Sequence, residues 1–275
     1  PRPLYSNSVI MNPLHYGEPL YWEERYKLEE KKSMDGFTLF DWYMPFEYVY
    51  HMLEAIRDFK SPQKILILGV GRSNVVDVLY EHGCREITCI DISPQIISQM
   101  QNKYRKYSGV DFYVMDAREL HQFKDKSFSL IIDKGCLDAI CCGMNLYESS
   151  KRYCEEVFRV LDDEGMLSLV SHAPPSTRVP YLRCVRWAVD VASMTEGEGI
   201  SMYILIKTED EKILANQIKG AEAAVIKKND GVVSSLHQSM NKNSTTKDGK
   251  NAGFLTVTTD LAALARMVAD IADDD

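Results

Sequence analysis

The stretch Lys64–Asn74, KILILGVGRSN, places two glycines directly behind an unbroken apolar run. A short apolar run closed by glycine reads as a buried strand. Glycines that follow a strand and open a helix let backbone amides approach a ligand. The segments behind this turn continue the same alternation. SNVVDVLYEHG reads as a helix ending at Gly83, EITCID as a second strand, and SPQIISQMQNKYRKYS as a helix with Ser93 as N-cap and Pro94 in its first turn. DFYVMD, FSLIID, the helical ESSKRYCEEVFRVL and MLSLVSH come next, in that order. This pattern predicts an α/β fold: a doubly wound, mostly parallel sheet with helices on both faces.

The alternation then breaks. WAVDVASM and ISMYILIKT are strand-like and separated only by TEGEG, too short a link for a crossover helix. The sheet is therefore expected to end in an antiparallel hairpin. Before the first strand, Phe46, Val49, Tyr50, Leu53 and Ile56 fall at helical spacing and form one apolar stripe. Three regions are expected: a helical cap over residues 1–60, a core over 61–207, and a partly flexible extension over 208–275. In that extension EKILANQIKGAEAAVIKK reads as a helix, residues 228–252 as a polar linker, and LTVTTDLAALARMVADIADDD as an amphipathic helix with an acidic end.

Composition narrows the function. The seven cysteines contain no C-x-x-C pair and read as reduced thiols, with no disulfide frame and no metal site expected. The net charge of −8 gives no support to direct nucleic-acid binding and suits a basic partner better. No run reaches the roughly 18 apolar residues of a membrane span, and PRPLYSNSVIMNPLHYG lacks the layout of a signal peptide. A cytoplasmic protein without membrane contact is expected.

The residues beyond the glycine turn decide its ligand. No G-K-[ST] completes a phosphate loop, and the dinucleotide pattern G-x-G-x-x-G fails at Asn74. Asp91 ends the second strand twenty residues after Gly71, where a carboxylate accepts hydrogen bonds from both ribose hydroxyls. A strand-end acid capping the next helix is the plainer reading of the same residue. Asp116 ends the third strand, where a carboxylate is placed for the adenine amino group and the Ala117 amide for a ring nitrogen. Two such acids, a loose glycine turn and a terminal hairpin favour S-adenosylmethionine (SAM), which has no phosphate to wrap, over NAD.

Four segments in order, YWEERY, ILILGVGRSNVVDVLYEHG, CIDIS and FSLIIDKGCLDAI, carry a resemblance. The stretch from about residue 18 to 207 resembles the Rossmann-like class I methyltransferases that modify lysines of translation elongation factor 1-alpha, the lysine methyltransferase 4 and methyltransferase-like-13 group. That resemblance implies a SAM pocket closed by Trp22, Tyr26 and Trp42 from the N-terminal segment. It also implies Gly69 and Gly71 at the methionine part, Asp91 and Ile92 at the ribose, Asp116 and Ala117 at the adenine, and Lys134 at a pocket position after the fourth strand. The expected substrate is a protein, elongation factor 1-alpha. The family turn reads G-C-G-N-S, and here Val70 and Arg72 depart from it, with Arg72 bringing bulk and charge to the pocket mouth.

The reacting residues stay open. Asp133 and Asp138 flank the DKG turn and are the candidates to attract a substrate lysine or accept its proton; Asp138 reads equally as a helix-start acid favoured by the dipole. His172 ends the fifth strand at the ligand-facing edge, where an imidazole can act as a base, although an isolated loop histidine is more often uninvolved. Cys141 and Cys142 read as packing residues on a helix. The absence of an N-P-P-Y segment points to an amine or carboxylate acceptor. A small-metabolite methyltransferase and a non-catalytic SAM-binding scaffold remain as alternatives.

Overall fold

The computed structural model describes residues 16–32, 38–56, 63–194 and 199–209. The two helices and the polar linker expected over 211–275 lie outside the described residues. Two helices come first, α1 (Pro19–Lys32) and α2 (Phe46–Ile56). The sheet is built from β1 (Lys64–Leu68), β2 (Glu86–Asp91), β3 (Val110–Val114), β4 (Phe128–Lys134), β5 (Leu161–Ser171), β6 (Trp187–Ser193) and β7 (Ser201–Lys207). Between the strands lie α3 (Val75–Glu81), α4 (Pro94–Tyr104), α5 (Cys136–Ile140), α6 (Leu146–Val160) and α7 (Pro175–Leu182).

The seven strands lie in the order β3-β2-β1-β4-β5-β7-β6. β1 to β5 pair in parallel, while β7 pairs antiparallel with both β5 and β6. This is the predicted doubly wound, Rossmann-like sheet ending in an antiparallel hairpin. Strand β7 is inserted between β5 and β6, so the hairpin doubles back rather than extending the sheet in chain order.

Central strands β1 and β4 are apolar almost throughout because helices cover both of their faces. On one face α2, α3 and α4 pack against Ile65, Ile67, Ile87 and Ile132; on the other, α5, α6 and α7 pack against Leu66, Leu68, Ile131 and Leu169. The α2 stripe read from the sequence, Phe46, Val49, Tyr50, Leu53 and Ile56, is buried as a whole. Helix α4 starts as its residues dictate: Ser93 accepts from the Ile96 amide and Pro94 occupies the first turn. The helix expected around Asp138 to Cys142 is the short α5, which ends at Ile140, while α7 did not stand out in the sequence. One has five residues, and the other carries Pro180 inside it.

The order reverses between β1 and β4. From β1 the chain proceeds to β2 and β3 on one side, and later to β4 and β5 on the other. Such a switch point leaves a crevice beyond the carboxyl ends of the strands. Leu53, fully buried on α2, tests how firmly that helix belongs to the core. Leu53→Ala is expected to lower unfolding free energy by about 2–5 kcal/mol in urea titration; a loss below about 0.5 kcal/mol would detach α2 from the cooperative unit.

Candidate cofactor and acceptor site

The turn after β1 is held open by backbone geometry. Gly69 and Gly71 adopt φ of +61° and +50°, the left-handed region that glycine tolerates. A Cβ on Gly69 would lie 2.9 Å from the Cys136 Cβ, and one on Gly71 would lie 3.2 Å from the Tyr26 hydroxyl. Asp91 fixes this turn from the next strand: its carboxylate accepts from the Gly71 amide and the Ser93 amide, both at 3.0 Å. Burial pushes the Asp91 carboxyl up to about 6, against the pull of those amides.

A cavity of about 960 Å³, its open mouth included, lies over the turn. Its wall includes Gly69, Gly71, Asp91 and Ile92 from the first two strand ends, and Asp116, Ala117 and Lys134 from the third and fourth. Trp22, Tyr26 and Trp42 line it from the cap. These ten residues therefore meet in one place. Asp133 and Asp138 do not line it.

The cap is secured by polar contacts as well as rings. The Lys134 ammonium lies 2.7 Å from an Asp41 oxygen, with side chains 8% and 12% exposed. Lys134 also donates to the Trp42 carbonyl at 3.1 Å, and the Ser73 hydroxyl donates to Asp41 at 2.5 Å. Burial lowers the Lys134 pKa, opposed by Asp41. One carboxylate thus joins the cap, the glycine turn and the end of β4. Trp22 meets Tyr26 at a ring distance of 6.0 Å and Trp42 edge-on at 6.2 Å. The Arg25 guanidinium sits 4.8 Å from the Trp42 ring.

Arg72 lines the cavity, and its charge is engaged within the protein. It is buried, and its guanidinium donates to the Tyr26 carbonyl and to Gln99 Oε1, both at 3.2 Å. Its own carbonyl accepts from the Phe40 amide at 2.9 Å. The departure from the family turn binds α1 to the core. At the far end Arg118 grips Asp116 with a fork, Nε to both oxygens at 3.0 and 3.1 Å and Nη2 to one at 2.6 Å.

The two acids read from the DKG turn separate in the structure. Asp133 is fully buried, and its carboxylate accepts from the Cys136 and Leu137 amides at 2.8 and 3.0 Å and from the Tyr153 hydroxyl at 2.7 Å. Burial pushes it up to about 7, with those donors and Asp138 as the other influences. It caps α5, whose N-cap Gly135 has no side chain to do so. Its place behind the wall corrects the reading of Asp133 as a group that meets a substrate. Asp138 is 5% exposed and accepts from Tyr43, Ser171, the His172 amide, His172 Nδ1 and Arg178. Burial works against its charge, but these donors prevail and hold its carboxyl well below the usual range. A carboxylate so weakly basic and so enclosed is no proton acceptor. Tyr43 and Arg178 escaped the sequence reading, since only the folded chain brings them to Asp138.

The cavity fits SAM. Its glycine cradle excludes any Cβ, Asp91 retains lone pairs for ribose hydroxyls, and the tryptophan faces suit a sulfonium. Among the described residues no cluster of His, Cys, Asp or Glu is arranged to hold a metal ion, and no helix is long and apolar enough to cross a membrane.

The sequence is similar to those of known methyltransferases. Residues 66–169 match the Methyltransferase domain family. The eEF1A lysine and N-terminal methyltransferase of Xenopus laevis is 30% identical over 188 residues, covering 66% of this chain and 26% of that relative. The Drosophila melanogaster homologue of that enzyme is 36% identical over 148 residues, 53% of this chain and 21% of the relative. The EEF1A lysine methyltransferase 4 of Mus musculus is 25% identical over 211 residues, 74% of this chain and 80% of the relative. The chain spans about a quarter of the length of the first of these. Among solved structures, a Burkholderia thailandensis 1,6-didemethyltoxoflavin-N1-methyltransferase aligns with TM-score 0.49 and 15% identity, covering 74% of this chain and 94% of that one. The fold assignment rests on the strand order itself. Residues 66–169 carry a methyltransferase domain, and the cofactor of that domain is SAM.

The Asp41–Lys134 pair invites a direct test. Asp41→Ala strands a buried ammonium and is expected to cost about 3–5 kcal/mol in chemical denaturation. Adding Lys134→Met should return part of that loss. A cost below about 1 kcal/mol for the single change would mark the pair as an ordinary surface contact.

Proposed function

We propose that this chain methylates a lysine ε-amine of a protein, translation elongation factor 1-alpha, with SAM as donor. The observation that carries the reading is the cavity in which cap aromatics face the strand-end acids and the glycine cradle. The names of the relatives point to this client, and a net charge of −8 complements a basic one.

Bound SAM supplies a methyl group already activated by its sulfonium. What the protein adds is placement and dryness. Trp22 and Trp42 present ring faces and edges to a cation, while Asp91 and Asp116 hold the two ends of a nucleoside. Fixing donor and acceptor in line turns an encounter into a unimolecular event, and closure by the cap removes competing water. The acceptor amine must be neutral, although lysine titrates near ~10.4 in water. Desolvation near Trp42 and Tyr43 disfavours the ammonium, which lowers that barrier.

Two measurements bear on the reading. Asp91→Ala removes a charged acceptor from the ribose position and one support of Gly71. It is expected to weaken S-adenosylhomocysteine (SAH) binding by about 1.5–3 kcal/mol in calorimetry, and unchanged affinity in the folded variant would refute the ribose assignment. Incubating the protein with labelled SAM and recombinant elongation factor 1-alpha should place label on a lysine identifiable by mass spectrometry. Label confined to small molecules, or to another protein of a lysate, would remove this substrate.

A further inference from the structure

His172 comes directly after the last residue of β5 and stands where α5, α7 and the cap converge. Its side chain is 61% exposed, whereas its partner Asp138 is 5% exposed. Asp138 takes the ring at Nδ1, 2.9 Å away, and also accepts from the His172 amide at 3.0 Å. A buried carboxylate on Nδ1 selects the tautomer with its proton there and leaves Nε2 as a lone-pair acceptor on the exposed part of the ring.

The groups around this pair are fixed. Tyr43 of the cap donates to Asp138 at 2.6 Å and lies 3.3 Å from His172 Nδ1. It holds a left-handed φ of +68°, uncommon for a residue with a side chain. From α7, Arg178 is buried against Asp138 and Ser171. From β7, the Tyr203 hydroxyl donates to the Ala173 carbonyl at 2.6 Å. Burial and Asp138 push the Tyr43 hydroxyl well above the ordinary phenol range, so it stays protonated and acts as a donor.

This cluster borders the cofactor cavity. Ala139, next to Asp138, lines the cavity, as does Gly135, and a Cβ on Gly135 would lie 3.2 Å from the Tyr43 ring. The Gly135 amide donates to the Val170 carbonyl, so the ends of β4 and β5 form one rim. We propose that His172, oriented by Asp138 and Tyr43, is the base that takes the proton from the acceptor amine at that rim. The assignment rests on the methyltransferase reading above. In the step, an N–H proton of the substrate ammonium passes to His172 Nε2 and the freed lone pair forms the new N–C bond. The methyl–sulfur bond breaks as that bond forms, its electron pair remaining on sulfur. The exposed ring then returns its proton to solvent. His172 is the catalytic residue; Asp138 and Tyr43 are positioning residues.

The Asp138 hydrogen bond raises the His172 pKa, with burial and then Arg178 opposing it. Only the neutral ring accepts a proton, so turnover rises with pH through that raised value. The experiment compares wild type, His172→Gln and Asp138→Asn. It uses labelled SAM with two acceptors, elongation factor 1-alpha and poly-L-lysine, together with an NMR titration of His172 in SAH-loaded wild type and Asp138→Asn. His172→Gln should lower kcat by about 100-fold or more, abolish the rising limb of the pH profile and leave SAH affinity unchanged. Asp138→Asn should move the His172 titration to lower pH; should it not fold, the exposed His172→Gln alone decides the base assignment. A rate and pH profile unchanged in His172→Gln would overturn the proposal. Transfer to poly-L-lysine alone would remove the elongation factor while leaving His172 to be judged on that acceptor. Transfer by wild type to neither acceptor would overturn the amine reading and the base together.

Discussion

The site depends on one buried ion pair. Asp41 and Lys134 are ninety-three residues apart in the chain, and desolvating them is costly unless every remaining lone pair and proton finds a partner. Ser73 and the Trp42 carbonyl supply those partners. The contact therefore forms only when the cap segment, the glycine turn and the end of β4 have already come together. Arg72 repeats the device on the other side of the turn by reaching the Tyr26 carbonyl and Gln99. The aromatic wall over the cavity is a consequence of these two tethers.

The four acids around the strand ends show how burial and partners divide labour among chemically identical groups. Asp91 holds a loop through two amides and keeps capacity for a ligand. Asp116 is held by the Arg118 fork at the cavity wall. Asp133 is spent on a helix start and on Tyr153, inside the protein. Asp138 is an enclosed anion held by Arg178, His172 and two hydroxyls, and its influence reaches the surface through His172.

The strands were legible because β1 and β4 are covered on both faces and carry an unbroken apolar run at their centres. Asp91 and Asp116 were legible because they end strands at a readable distance from the glycine turn. Asp133 and Lys134 are consecutive strand residues whose side chains point to opposite faces, and only Lys134 lines the cavity. Lys134 turns to the cap, and Asp133 turns to α6. The grouping of Asp138 with Tyr43, His172 and Arg178 joins the cap, α5, the end of β5 and α7, and no local pattern in the chain announces it. The tethering by Arg72 was not legible because its partners, Gln99 and the Tyr26 carbonyl, lie on α4 and α1.

The central claim is that cap and core close one site jointly. Hydrogen exchange measured by mass spectrometry, with and without saturating SAH, tests it most directly on the unaltered protein. The account predicts that SAH protects the amides of residues 19–32 and 38–43 together with those of Gly69 to Ser73. Protection confined to the glycine turn and the strand ends near Asp91 and Asp116, with the cap exchanging as before, would contradict it.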